Sequence, residues 1–249
     1  MPPLYSIGKV TVAPALMLGW RPKVEGLENV PSTGGVILAA NHLSVADEYF
    51  LGAVLPRHVA FWAKAEYFTG TGVRGFLTRS LVTGLGAIRV ERGGGRAALS
   101  AFDGAIPLLR AGRQVAVFPE GTRSPDGRLY RGRTGAARLA LAAGVPIVPV
   151  GFLGTDEIQP IGALWPKFKR GTVVVRFGKP LDFTGRADDH TELRKMTDEM
   201  MSEIQRLTGQ EYVGRYAPPR TGAGRAVNGS TGDAPPPAGP AGDDPVTPG

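Results

Sequence analysis

Short apolar runs alternate along this chain with longer segments in which apolar residues recur at helical spacing. The short runs predict strands at 36–40, 58–63, 86–90, 114–118, 146–152 and 172–178. The helical repeat predicts helices at 44–55, 72–82, 95–110, 134–143 and 188–208, with a kink at Pro107 in the third of them. This alternation favours the α/β class, as a single domain with a mixed, largely parallel sheet covered by helices.

The two ends of the chain differ from this body. Residues 1–20 predict an N-terminal helix, which either packs on its own domain or lies in the membrane interface with Trp20 at headgroup depth. The body of the chain, residues 21–216, is predicted to be one domain. Residues 217–249 are rich in Gly and Pro and nearly lack large apolar side chains, which is typical of a disordered tail. No apolar run reaches the roughly 18 residues that a membrane-spanning helix requires.

The amino-acid composition excludes several kinds of catalytic and metal-binding site. The absence of cysteine excludes disulfides, cysteine nucleophiles and thiolate metal ligands, and three histidines make a zinc site of the usual kind improbable. The net charge of +7 resides almost wholly before the tail. Because its arginines are scattered and no nucleic-acid-binding signature is present, we expect an anionic membrane surface as the partner and no nucleic acid.

The most informative segment follows the first predicted strand. His42 falls at the junction between this strand and a helix, and Asp47 falls in the first turn of that helix. At such a junction the loop can fold the histidine back over the helix start. A carboxylate bonded to one imidazole nitrogen fixes the tautomer and leaves the other nitrogen free to accept a proton. The pair is therefore a candidate general base, although a structural hydrogen bond is the commoner role of such a pair.

A second segment, residues 117–124, places a polar loop after an apolar strand. Its sequence is Val-Phe-Pro-Glu-Gly-Thr-Arg-Ser, so a carboxylate, a glycine and the guanidinium of Arg123 follow the strand directly. A guanidinium can bind a phosphate through two parallel hydrogen bonds. The loop is thus a candidate phosphate site.

Together the two segments resemble the glycerolipid acyltransferases, the family of 1-acyl-sn-glycerol-3-phosphate (lysophosphatidic acid) acyltransferases. Its first motif is Asn-His-x4-Asp and its third is Phe-Pro-Glu-Gly-Thr-Arg-Ser. Residues 86–92 resemble the second motif, and residues 145–150 resemble the fourth, a strand whose prolines are expected to preclude an ordinary central ladder. Two departures are Glu48, where a bulky apolar residue is common, and Arg89 within the second motif.

The resemblance implies a set of site residues. His42 and Asp47 would be catalytic. The implied substrate-binding residues are Asn41, Ser44, Lys64, Arg92, Glu120, Gly121, Thr122, Arg123 and Ser124. Glu120 would hold the arginines or contact the glycerol unit, and no metal site is implied.

The implied reaction moves a fatty acyl chain from acyl-CoA or acyl carrier protein to the free hydroxyl of 1-acylglycerol 3-phosphate, giving phosphatidic acid without a cofactor. The implied location is peripheral, at the cytoplasmic face of the membrane. Alternatives are an acyltransferase for glycerol 3-phosphate, a lysophospholipid or a glycolipid, and a non-catalytic basic membrane-binding module. Candidate residues for an acyl tunnel are Tyr49, Phe50, Phe61, Trp62, Phe68, Phe76 and Leu77.

One rival motif needs an explanation. Residues 70–75 match G-x-G-x-x-G, and Glu91 follows at a distance that could suit a ribose-binding acid. A dinucleotide fingerprint requires its first glycine directly at a strand end, whereas the apolar run here stops at Ala63. We therefore interpret these glycines as a turn before a helix.

Overall fold

The computed structural model describes residues 1–90 and 94–218, with the backbone alone for residues 94–101. The predicted tail, apart from its first two residues, and Arg92 lie outside the described residues. The helices are α1 (Pro3–Trp20), α2 (Ala46–Val54), α3 (Glu66–Thr69), α4 (Gly72–Gly84), α5 (Gly94–Arg110), α6 (Gly135–Ala143), α7 (Thr155–Ile158) and α8 (His190–Thr208), with a 3-10 turn at Leu27–Asn29.

The strands are β1 (Lys23–Glu25), β2 (Val36–Ala40), β3 (Val59–Ala60), β4 (Trp62–Lys64), β5 (Ile88–Val90), β6 (Gln114–Val117), β7 (Leu129–Tyr130), β8 (Ile147–Leu153), β9 (Val174–Phe177) and β10 (Tyr212–Val213). Six of them form the main sheet in the order β1-β9-β8-β2-β6-β3, in which β8 and β9 are antiparallel and the other neighbours parallel. Two small parallel sheets pair β4 with β5 and β7 with β10. The predicted fold class is confirmed.

Helices cover both faces of the main sheet, because its strands are apolar on both sides. In β2, Ile37 and Ala39 pack against α5, α6 and α8, whereas Val36, Leu38 and Ala40 pack against α1, α2 and α7. Every residue of β2 is buried, as a central parallel strand requires. This three-layer arrangement leaves the carboxyl edge of the sheet as the place for a site.

The predicted strand at 58–63 is wrong as a single element. It breaks at Phe61 into β3, which joins the main sheet beside β6, and β4, which joins β5 in a separate sheet. The indole N–H of Trp62 donates to the carbonyl of Ala116 in β6 at 2.7 Å. The start of β4 therefore stays in contact with the main sheet. An unbroken apolar run gives no sign of such a change of sheet.

The expectation that prolines keep β8 from a central position is also wrong. β8 pairs with β2 on one side and β9 on the other, and Pro149 lies opposite Ala39. The carbonyl of Pro149 accepts the N–H of Gly178 at 2.8 Å. The N–H and C=O of one residue point to the same side of a strand. The N–H that proline lacks would therefore point toward β9, just beyond the last pair of the β8–β9 ladder. The hydrogen bonds between β8 and β2 do not need it.

The glycines at 70–75 form a turn between two helices, as expected. No strand precedes them directly, since α3 ends at Thr69 and α4 begins at Gly72. A Cβ atom on Gly75 would lie 2.2 Å from the carbonyl carbon of Gly70, so the pair permits a close backbone crossing. This geometry differs from the strand-turn-helix of a dinucleotide site.

Helix α1 packs on α2 through polar as well as apolar contacts. The ammonium of Lys9 donates to the carbonyls of Gly52, Ala53 and Leu55 at the end of α2, at 3.0, 2.6 and 2.5 Å. A cation at a helix C-terminus satisfies carbonyls that lack partners within the helix and complements the helix dipole. Helix α1 continues through Pro14, and α5 continues through Pro107, where the predicted kink stays a prediction.

Candidate active site

Two loops meet at the carboxyl edge of the main sheet. One leaves β2 and carries His42, and the other leaves the adjacent strand β6 and carries Glu120 to Ser124. The N–H of Ser124 donates to the carbonyl of His42 at 2.7 Å. The structure therefore brings the two predicted segments into direct contact.

The histidine and the aspartate form the expected pair. His42 Nδ1 lies 2.8 Å from Asp47 Oδ2, and the same oxygen accepts the backbone N–H groups of Leu43 and Ser44 at 2.8 and 2.9 Å. Asp47 is fully buried in the first turn of α2. Because the carboxylate binds Nδ1, the proton of the neutral imidazole is held there and Nε2 becomes the nitrogen that can accept one.

The imidazole is also fixed by packing. The ring of His42 stacks on that of Phe118, with centroids 3.8 Å apart and planes within 14°. The side chain keeps 13% of its surface exposed, so it is supported on one face and still accessible. Sequence reasoning missed Phe118, which precedes the motif proline and carries no polar group.

Glu120 supports this histidine through the backbone. One carboxylate oxygen accepts the N–H of His42 at 3.1 Å and the other accepts the N–H of Tyr130 at 2.9 Å, and the side chain is only 2% exposed. Burial raises the pKa of Glu120 to about 7, although both hydrogen bonds act in the opposite direction. The predicted contact of Glu120 with substrate stays a prediction, and the geometry favours a positioning role.

Asn41 and Ser44 have similar supporting positions. The side chain of Asn41 is buried and bonds both the carbonyl and the N–H of Phe152, at 2.9 and 2.7 Å, which ties the end of β2 to β8. Ser44 Oγ donates to the carbonyl of Gln159 at 2.6 Å and accepts the N–H of Ala46 at the start of α2. Their predicted substrate contacts stay predictions. The predicted helix start at Ser44 is two residues early, because α2 begins at Ala46 and Ser44 lies in the turn that precedes it.

The rest of the second loop turns sharply after Glu120. Gly121 has a φ of +76°, and its N–H donates to the carbonyl of Phe118 at 2.9 Å. Ser124 is buried and its hydroxyl donates to the carbonyl of Arg128 at 2.7 Å. Thr122 and Arg123 between them keep partly exposed side chains.

The charge of Arg123 reaches the start of α2. It lowers the pKa of both Glu48 and Tyr49, against the larger effect of burial, which raises both values. Glu48, the departure noted above, also feels the charge of His42. Arg123 and the dyad therefore face a common region beside α2.

Of the two remaining predicted residues, Lys64 belongs to the small β4–β5 sheet. Lys64 ends β4, and its ammonium lies 5.7 Å from the centre of the Tyr67 ring. Arg92 follows β5 but lies outside the described residues. Within residues 1–90 and 94–218, no group of three His, Cys, Asp or Glu side chains is placed to hold a metal ion.

A histidine whose Nδ1 is held by a buried aspartate lies at the carboxyl edge of a largely parallel sheet, beside an arginine-bearing loop. This arrangement is typical of α/β enzymes that can activate a hydroxyl group. The chain belongs to the acyltransferase family, whose family model, described as Acyltransferase, matches residues 21–153, more than half of the sequence.

Similar proteins agree with this assignment. A 1-acyl-sn-glycerol-3-phosphate acyltransferase of Bacillus subtilis strain 168 is 30% identical over 190 residues, which cover 74% of this chain and 87% of that protein. A chloroplastic protein of the same name from Brassica napus is 32% identical over 160 residues, 64% of this chain and 45% of the relative. The chain therefore spans less than half the length of this plant relative.

A solved structure supports the fold. The crystal structure of the 1-acyl-sn-glycerophosphate (LPA) acyltransferase PlsC from Thermotoga maritima matches with a TM-score of 0.62 and 27% sequence identity. The match covers 83% of this chain and 81% of that one. The resemblance inferred from the four motifs is confirmed.

Proposed function

We propose that this chain transfers a fatty acyl group from a thioester donor to the free hydroxyl of 1-acylglycerol 3-phosphate, producing phosphatidic acid. The observation that carries the proposal is the His42–Asp47 pair, with Nδ1 held at 2.8 Å from a buried carboxylate. The names of its relatives in Bacillus subtilis and Thermotoga maritima support the choice of acceptor.

In the proposed reaction, Nε2 of His42 removes the proton of the acceptor hydroxyl as its oxygen attacks the thioester carbonyl. Asp47 stabilises the imidazolium that forms and keeps the ring in position. The tetrahedral adduct collapses by expelling the thiolate, so the C–S bond breaks and the new C–O ester bond remains. Because the acceptor oxygen attacks the thioester directly, no covalent enzyme intermediate forms. A thiolate is a good leaving group and needs no general acid, and the imidazolium of His42 then releases its proton to the thiolate or to solvent.

The donor is acyl-CoA or acyl carrier protein, and we propose no cofactor. Arg123, with Lys64 and Arg92, is proposed to bind the phosphate of the acceptor, since a guanidinium can make paired hydrogen bonds to phosphate oxygens. Among the candidate tunnel residues, Phe50 is 1% exposed and packs in the core on the α1–α2 face, which argues against its use. Phe76 and Leu77 on α4 are 57% and 61% exposed and remain candidates.

We also propose peripheral binding to an anionic membrane, on its cytoplasmic face. No helix in the part of the chain that the structure describes has the length and apolar character to cross a membrane. Large apolar side chains are nevertheless exposed on α1, on α4 and in the loop after α7; they are Ile7, Val10, Val12, Leu18, Val73, Leu81, Leu164, Trp165 and Phe168. Exposed apolar residues in a basic protein favour the interface of an anionic bilayer.

We propose that Trp165 lies at headgroup depth, and the same expectation for Trp20 stays a prediction. Trp20 packs edge-on against Phe50 and Phe168 and donates its indole N–H to the carbonyl of Lys167 at 2.9 Å. Trp165, in the same loop as Lys167, is 82% exposed. Co-sedimentation with vesicles of phosphatidylglycerol and phosphatidylcholine tests this, and we expect Trp165→Ser to weaken binding. Unchanged binding would show that this loop does not enter the interface.

The acyl-transfer proposal is tested by thiol release from oleoyl-CoA in the presence of a panel of acceptors. We expect release to depend on 1-acylglycerol 3-phosphate, and to be much slower with glycerol 3-phosphate, lysophosphatidylcholine or a glycolipid. A preference for one of the other three acceptors would assign the chain to that acceptor. Release that is independent of any acceptor would show hydrolysis instead.

A further inference from the structure

A second arginine segment runs along the active-site loop. After β7, the N–H of Arg133 donates to the carbonyl of Pro119 at 2.8 Å, which fixes residue 133 beside the loop that carries Glu120. Sequence reasoning assigned no role to Arg131 or Arg133. The only signal in the sequence was their spacing, two arginines within three residues.

The side chain of Arg133 lies against Gly121. A Cβ atom built on Gly121 would be 3.0 Å from Nε of Arg133 and 3.4 Å from its Cδ. The glycine thus leaves the space that the arginine side chain occupies. Gly121 follows Glu120, whose carboxylate accepts the N–H of His42, so Arg133 lies against a part of the loop that supports the histidine.

An aromatic ring holds this guanidinium together with a second one. The Cζ atoms of Arg131 and Arg133 lie 5.5 and 5.2 Å from the centre of the Tyr216 ring. Tyr216 follows β10, which pairs with β7, and the N–H of Arg131 donates to the carbonyl of Arg215 at 3.0 Å. The cluster of Arg131, Arg133 and Tyr216 is therefore built on paired backbone, which limits its freedom to rearrange.

The cluster gathers positive charge without internal neutralisation. Within the described residues, neither Arg131 nor Arg133 has a carboxylate within ion-pair distance; the nearby Asp126 binds Arg128, and Glu120 faces backbone N–H groups. Arg133 and Tyr216 are exposed to solvent. Two like charges on one ring repel each other, and a bound anion relieves this repulsion.

Resting on the function proposed above, we infer that Arg133 is a second residue that binds the phosphate of the acceptor, and that Tyr216 positions it. The acceptor phosphate is the anion that fits this place. It is carried on the glycerol carbon next to the reacting hydroxyl, whereas the nearest phosphate of a CoA or carrier-protein donor is separated from the thioester by the whole pantetheine arm. Arg133 lies against the loop whose Glu120 holds the backbone of His42, and this position favours the phosphate next to the reacting hydroxyl over one beyond the pantetheine arm.

The test is equilibrium binding, measured by titration calorimetry with a short-chain 1-acylglycerol 3-phosphate and, separately, with acyl-CoA. We expect R133Q to raise the Kd for the phosphate-bearing acceptor by about tenfold or more and to leave the Kd for acyl-CoA within about twofold. R206Q is the matched control, because Arg206 lies exposed on α8, paired with Glu203, and its loss removes the same charge elsewhere. It is expected to bind both ligands as wild type does.

Two further variants test the positioning role of Tyr216. Y216L removes the ring and is expected to weaken acceptor binding by roughly threefold to tenfold, whereas Y216F keeps the ring and is expected to bind like wild type. A role in packing alone would not separate acceptor from donor binding. Thermal unfolding midpoints of all variants verify that the comparison is made on folded protein.

The outcomes separate this inference from the proposed function. If wild type binds and acylates the acceptor but R133Q binds it equally well, the inference is overturned and the proposed function stands. If R133Q weakens acyl-CoA binding instead, the cluster belongs to the donor, and the inference is overturned again. If wild type binds no phosphate-bearing acceptor, both are wrong.

Discussion

Replacing Asp47 by Asn tests how the histidine is activated. In the structure, Oδ2 of Asp47 accepts from His42 Nδ1, Leu43 N and Ser44 N at 2.8, 2.8 and 2.9 Å. An asparagine of the same shape can place its oxygen at this point and keep all three hydrogen bonds. The substitution therefore removes the negative charge and leaves the volume of a fully buried side chain unchanged.

The magnitude follows from the charge that is lost. An imidazolium and a carboxylate about 4 Å apart interact by about 4 kcal/mol at an effective dielectric constant of about 20. Losing this stabilisation when the histidine takes the proton slows transfer by roughly a thousandfold. If the amide instead turns its NH2 group toward the three donors, the tautomer of His42 is lost as well and the decrease is larger.

The assay is the turnover number for thiol release from acyl-CoA with saturating 1-acylglycerol 3-phosphate. E48Q is the matched control, because it removes a carboxylate one position along the same helix turn, and we expect it to lose less than about tenfold. Acceptor KM should change little in D47N. Turnover of D47N within about tenfold of wild type would refute the reasoning and reduce Asp47 to a carboxylate that orders the helix start.

Three further predictions concern the support of the site. Gly121→Ala places a side chain at a φ of +76° and 3.0 Å from Arg133 Nε, so we expect the unfolding free energy to fall by about 1–2 kcal/mol and turnover to decrease. The control is Gly127→Ala, at a φ of +80° with open space around it, which should lose stability but keep its turnover. Equal turnover in the two variants would contradict the role of the contact with Arg133. Burial raises the pKa of Glu120 to about 7, so the folded protein binds this proton more tightly than the unfolded chain does. The unfolding free energy of wild type should therefore fall by about 3 kcal/mol relative to that of E120Q as the pH rises from about 4.5 to above 7. Chemical unfolding at several pH values measures this difference, and a constant difference would show that the carboxyl titrates normally. Lys9→Met keeps the aliphatic stem but leaves three carbonyls at the end of α2 without their ammonium donor, so the unfolding free energy should fall by about 2 kcal/mol. An unchanged value would mean that water satisfies these carbonyls.

The sequence predicted the main sheet where each strand is a long apolar run. β2, β6 and β8 lie within one residue of their predicted bounds at every end. The two- and three-residue strands β1, β7 and β10 were missed, because so few residues show no alternation. The break at Phe61 was missed because pairing with two different sheets leaves no trace in the local pattern.

Within the site, the sequence identified residue types better than roles. The five-residue spacing of His42 and Asp47, read at a strand-to-helix junction, correctly predicted their contact. It could not separate residues that face the substrate from those that hold the loops, because a buried Asn41 or Glu120 has the same chemistry as an exposed one. The cluster on Tyr216 depends on the pairing of β7 with β10, some 80 residues apart, which local sequence does not reveal.

The central claim is that His42 acts as the base in acyl transfer to a phosphate-bearing hydroxyl acceptor. The most direct measurement is the amount of phosphatidic acid formed, quantified by mass spectrometry, when wild type or His42→Ala is incubated with oleoyl-CoA and 1-acylglycerol 3-phosphate. If His42 is the base, wild type forms phosphatidic acid equimolar with released CoA, and a folded His42→Ala protein forms it at less than about one per cent of that rate. Phosphatidic acid formed at a comparable rate by the variant, or CoA released by wild type without phosphatidic acid, would contradict this claim.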